Sequence, residues 1–135
     1  MAVIVVTRLR LKDPALLPDF FTAAAGSLEQ AKKSDGNLGA DALADANNTW
    51  WTLTAWHERR LMHAFVGAQP HRATMARLDD WCDEATFVDW EQPGGDLPDW
   101  QTSYQRIVAE GHVSDLTHAS DANGPRAFPP PVLPS

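Results

Sequence analysis

The stretch TWWTLTAWHERRLMHAFVGAQPHRATMARLDDWC, residues 49–82, decides how the chain is read. Its first eight residues hold no Gly or Pro and are dense in aromatic and β-branched side chains, the composition of a strand. Alternation puts Trp50, Thr52, Thr54 and Trp56 on one face and Trp51, Leu53 and Ala55 on the other. Both faces carry apolar bulk, so both need a cover: helices on one side and a partner on the other. After Glu58 the spacing of Leu61, Ala64 and Phe65 is helical, and Gly67 is a stop. Pro70 suits the first turn of a second helix, in which His71, Met75, Leu78 and Trp81 or Cys82 share one stripe. His71 is therefore an imidazole on an apolar helix face, and a small molecule is expected to touch this segment.

Working outward, residues 2–11 form a strand with Val3, Val5, Thr7, Leu9 and Leu11 on one face and Ile4, Val6, Arg8 and Arg10 on the other. Asp13 and Pro14 open a helical region that becomes regular near Pro18 and carries Phe20, Phe21, Ala24, Leu28 and Ala31 as its apolar stripe. Lys32 and Lys33 sit at the negative end of that helix, and Gly36 offers a left-handed exit. Residues 38–46 read as a weaker strand joined by a tight Asn47-Asn48 turn to the strong one at Thr49. Residues 85–92 make a last strand. The order strand, helix, strand, strand, helix, strand is the ferredoxin-like α+β arrangement. Asp99 then caps a further helix with Trp100, Tyr104, Ile107 and Val108 on one side, which needs an apolar surface to lie on. The domain is expected to end at residue 111. Residues 112–135 shift to His, Ser, Asp, Asn and Pro, and are expected to be extended, disordered or laid across a partner.

With 135 residues the chain has room for one domain and a core without staples. A net charge of -7 and only 11 scattered Lys and Arg argue against nucleic acid as a partner. No Cys/His spacing suits zinc, and no Gly-rich loop suits phosphate. The single Cys82 fits a reducing compartment. The apolar run at residues 1–6 is too short for a signal peptide or a membrane span, so the expectation is a cytoplasmic protein without membrane contact.

Three stretches carry a family resemblance: TWWTLTAWHERRLMHAFVGAQPHRATM at 49–75, VVTRLRLKD at 5–13 and LPDWQTSYQRI at 97–107. In these the chain resembles the DUF3291 group within the antibiotic biosynthesis monooxygenase-like, dimeric α+β barrel superfamily. The resemblance implies a ferredoxin-like subunit whose sheet packs on that of a second copy, giving a homodimer with a pocket between sheet and helices in each chain. It also implies a choice among cofactor-free oxygenation of polycyclic phenols, haem degradation or dehydration, and isomerisation or cyclisation. The haem-degrading members use an Asn in the first strand, a Trp in the second helix and a His ligand past the proline. Those positions match Thr7, Phe65 and Met75 here, so haem degradation is not expected, while all three residues are expected to line the pocket.

His71, one turn from Met75, is the candidate general acid/base; the plainer reading is a packed histidine bonded to a carbonyl. His63, beside Arg59, is read as solvated. Trp50 is a candidate wall for a planar substrate, with Thr52 and Thr54 beside it, whereas Trp56 reads as core. Arg8 is assigned either to an acidic substrate group or to an intersubunit ion pair. Asp41 and Asp45 lack an opposing acid, Cys82 lacks an activating base, and Tyr104 is expected to reach the pocket mouth. The resulting expectation is a small dimeric oxygenase without cofactor, acting on a hydrophobic aromatic or polycyclic metabolite. Its alternatives are a cyclase or isomerase on the same fold, a non-catalytic binding protein, or a haem enzyme.

Overall fold

The computed structural model describes residues 1–133. Its elements run β1 (Ala2–Leu11), a 3-10 turn at Pro14–Leu16, α1 (Leu17–Lys33), β2 (Asn37–Asp45), β3 (Thr49–Trp56), α2 (Arg59–Gly67), α3 (His71–Ala76), α4 (Leu78–Trp81), β4 (Cys82–Gln92), α5 (Trp100–Glu110) and β5 (His112–Val113). The sheet is antiparallel in the order β2-β3-β1-β4-β5, so the ferredoxin-like α+β core is present with one short strand added at its edge.

Local chemistry accounts for the boundaries. Asp13 accepts from the Ala15 N–H at 2.9 Å, which caps the turn before α1. Asn47 and Asn48 both take left-handed φ, 61° and 57°, a conformation Asn tolerates better than other side chains with a Cβ, and this returns β2 into β3. The Asp99 side chain accepts from the Thr102 N–H at 2.7 Å and starts α5 as expected. The helical stripe read from Pro70 onward is broken in two at Arg77, where α3 ends and α4 begins.

The two sheet faces are covered differently. On one face, α1 to α4 build a core in two clusters: Leu9, Phe20, Leu78 and Trp81 at one end, and Val3, Ala31, Trp56 and Phe65 at the other. On the opposite face, Val6, Leu43, Trp51, Leu53 and Val88 pack with Ile107 of α5 and with Phe128 of the C-terminal segment. Trp51 is 0% exposed there, so this chain seals that face by itself.

α5 and the C-terminal segment lie on the face that the resemblance gave to a second copy. The residues beyond 111, expected as an extended or disordered tail, begin with β5, pass through turns at 117–118 and 121–126 and pack into the same body; residues 134–135 of that expectation lie outside the described residues. Side-chain hydrogen bonds do what apolar content does not. Asn123 accepts from the Ala85 N–H at 3.0 Å, and Ser120 donates to Glu84 at 2.7 Å. Arg126 donates to the carbonyls of Val108 and Gly111 at the end of α5, at 2.9 and 3.0 Å. No helix among the described residues is long and apolar enough to cross a membrane.

Candidate active site

Between the two core clusters on the helical face lies a cavity of about 320 Å³. Its floor is the inward row of the sheet, Val5, Thr7, Leu9, Trp50, Thr52 and Thr54, which is half-buried except at Leu9. Thr7 and Thr52 face each other across β1 and β3, so the floor has a narrow hydroxyl stripe between apolar flanks. Thr54 accepts the Trp56 indole N–H at 2.9 Å, which leaves its own O–H free to donate. Trp50 is held edge-on by Phe20 and Phe21, with ring centroids 6.0 and 5.9 Å away.

The opposite wall comes from α1, α2 and α3. Phe65 stacks on Trp56 at 5.0 Å, interplanar angle 27°, and its other neighbour is the His71 ring at 4.5 Å. His71 Nδ1 lies 3.1 Å from the Val66 carbonyl oxygen. A carbonyl only accepts, so the neutral ring carries its proton on Nδ1 and leaves Nε2 as the basic nitrogen. Burial lowers the His71 pKa from its ordinary value, partly offset by that carbonyl bond. A neutral imidazole at physiological pH with one nitrogen committed is the condition for accepting a proton.

The structure brings together His71, Thr7, Thr52, Thr54, Phe65, Met75 and Trp50 around one cavity. Met75 is exposed at its rim, as is His63, in line with the solvated reading. Trp56, read as core, is fully buried yet also lines the cavity. Tyr104 is a correction: it lies beyond the sheet, against the Phe128 cluster, and donates to the Phe128 carbonyl at 2.9 Å. Arg8 is another, since its guanidinium points away from the cavity and pairs within the chain with Glu84 at 2.6 Å. Asp45 serves structure, accepting the Trp51 indole N–H at 3.1 Å.

Sequence reasoning missed Asp89 and Gln30. Asp89 lines the cavity and pairs with Arg59 at 2.8 Å, tying the start of α2 to β4. Its position opposite Val5 follows from strand register, so alternation from Ala85 was the available signal. Gln30 lies behind His71 and gave no sequence signal.

Haem does not suit this site. No Lys or Arg lines the cavity to meet propionates, and His71 offers one nitrogen in a space of about 320 Å³ already walled by Phe65 and Trp56. Among the described residues no group of three or more His, Cys, Asp or Glu gathers to hold a metal ion.

The fold is shared with several solved structures of low sequence identity. Rv0793 from Mycobacterium tuberculosis superposes with a TM-score of 0.63 at 11% identity, over 70% of this chain and 97% of that one. The cofactor-independent oxygenase SnoaB from Streptomyces nogalater gives 0.57 at 10% identity, over 69% and 94%. An antibiotic biosynthesis monooxygenase structure gives 0.60 at 10% identity, over 68% and 99%. The chain belongs to the DUF3291 family, a domain of unknown function, which matches residues 16–116. No curated protein matches the sequence.

Proposed function

We propose that the chain is a small oxygenase that works without a cofactor on a hydrophobic aromatic metabolite, with His71 as the proton acceptor. The observation that carries this reading is a half-buried imidazole, committed at Nδ1 to Val66, on the wall of a largely apolar cavity. The likeness in fold to SnoaB, a cofactor-independent oxygenase, supports it. The cavity lies near the lower end of the range of roughly 300–1,000 Å³ usual for ligand pockets, which favours a compact ring system. Side chains from the sheet and from α1 to α4 of one chain line it. With a lone buried thiol, we place the protein in the cytoplasm.

An activated ring carbon with an acidic C–H, as in anthrone, illustrates the step. His71 Nε2 takes the proton, and the resulting delocalised anion gives one electron to O2. The radical pair joins as a peroxide, to which His71 returns its proton. Loss of the remaining proton on that carbon together with hydroxide, as water, leaves a carbonyl. The balance is anthrone plus O2 to anthraquinone plus water. The protein's share is deprotonation, orientation against the Thr7 and Thr52 stripe, and exclusion of bulk water.

Oxygen uptake with anthrone as probe tests the proposal. The wild type should consume one O2 per quinone formed, and His71→Ala should lose about 100-fold or more of kcat/KM, the usual worth of a positioned base. Equal rates in the two proteins remove His71 from the chemistry. Turnover of a phenolic probe without O2 uptake assigns cyclisation or isomerisation instead, and binding without turnover assigns a carrier.

A further inference from the structure

We propose that Gln30 of α1 is the positioning residue that sets the orientation and tautomer of His71, a role that rests on the catalytic reading above. The geometry joins three backbone groups through one side-chain amide. Gln30 Nε2 donates to the carbonyls of Phe65 and Ala68, at 3.2 and 3.4 Å, and Gln30 Oε1 accepts from the His71 N–H at 2.7 Å. Phe65 lies near the end of α2 and Ala68 is its C-cap. Their carbonyls each accept one backbone N–H, from Ala68 and Arg72, and the amide fills a second lone pair on each, while the third group is the first N–H of α3, which has no helical partner. Only an amide supplies donor and acceptor at the two ends of so short a span. A carboxylate would face two carbonyls without a proton to give, and a hydrocarbon would leave the His71 N–H bare and each carbonyl with its backbone donor alone.

The consequence reaches the imidazole because the same corner contains its partner. Val66, whose carbonyl accepts from His71 Nδ1, lies between the residues Gln30 holds at Phe65 and Ala68. Fixing the His71 backbone at one end and the α2 terminus at the other fixes the distance that the Nδ1–H bond must span. A second link from α1, Ser27 Oγ to Thr74 Oγ1 at 3.3 Å, holds the next turn of α3 but touches neither end of the imidazole bond. Gln30 thus stands to His71 as an outer orienting group stands to a catalytic base.

The test is nitrogen NMR of the imidazole in the full chain, combined with anthrone kinetics. In the wild type the proton of neutral His71 sits on Nδ1. In Gln30→Met, close in length but without polar atoms, both tautomers appear and the titration moves up toward the ordinary histidine value as the ring loosens into solvent. Its kcat for anthrone falls roughly tenfold or more while KM changes little, the loss expected of a misplaced base. Glu29→Ala, on the exposed side of the same helix, changes none of these. Should Gln30→Met fail to fold, Gln30→Glu keeps the acceptor for the His71 N–H and loses only the donors, and tautomer mixing is expected there too. An unchanged Nδ1–H tautomer in a folded Gln30 variant overturns the proposal whatever His71→Ala does to turnover. A shifted tautomer with His71→Ala fully active retains Gln30 as the orienting residue and rejects the catalytic reading.

Discussion

The guanidinium of Arg8, in the first strand, lies 4.0 Å over the ring of Phe128, near the far end of the chain. Arg8 is 2% exposed and Glu84, its partner at 2.6 Å, is 4% exposed, so a buried ion pair is roofed by an aromatic ring from the C-terminal segment. That contact explains how a polar segment closes a sheet face that the strands leave apolar.

Phe128→Ala should therefore lower stability by about 3 kcal/mol, from the lost aromatic volume and the lost cation–π contact. Urea unfolding reads this as a lower midpoint at unchanged slope. An unaltered midpoint would mean that the segment does not hold the sheet in solution.

Glu84 gives the same clamp a pH dependence. Burial alone raises its carboxyl pKa, but hydrogen bonds from Arg8 and Ser120 and the charges of Arg8 and Arg10 outweigh it, so Glu84 titrates below its ordinary 4.5. A depressed folded value means its stabilisation is whole above pH 4.5 and is lost as pH falls through the folded value. Glu84→Gln should remove that part of the acid limb and cost about 3 kcal/mol at neutral pH, because Arg8 stays buried without its counter-charge. Thermal melts across the acid range check both.

Gly36 holds φ at 82°, and a Cβ there would run into Leu61. Gly36→Ala should cost about 2 kcal/mol through the left-handed backbone and the clash combined, and denaturant unfolding measures it.

Cys82 is fully buried, and burial pushes its thiol pKa up to about 12. Maleimide should leave the native protein unmodified near neutral pH and label it once unfolded. Rapid native labelling would show an opening of the segment around β4.

These elements also show where the sequence was legible. Thr49–Trp56 was readable because alternation without Gly or Pro has one interpretation. Thr7, Phe65 and Met75 lie around one cavity, since register fixes a strand's face and helical spacing a helix's stripe. Tyr104 was misplaced for a complementary reason: a stripe on α5 says that the helix lies on something apolar, not which sheet face it covers. The C-terminal segment was underestimated because Asn123, Ser120 and Arg126 hold it by hydrogen bonds to partners distant in sequence, for which composition has no signature. Gln30 escaped for the same reason, its three partners being backbone groups that only tertiary approach supplies.

The central claim concerns His71 as a base that is neutral at working pH, and the pH profile of kcat/KM for anthrone oxidation tests it most directly. Because burial lowers its folded pKa below the ordinary 6.5, activity should hold through neutral pH and fall on the acid side with a midpoint under 6.5 that coincides with the NMR titration of the His71 ring. His71→Ala should lose that acid limb along with most of the rate. A limb that survives in His71→Ala, or one whose midpoint departs from the ring's own titration, would contradict the account.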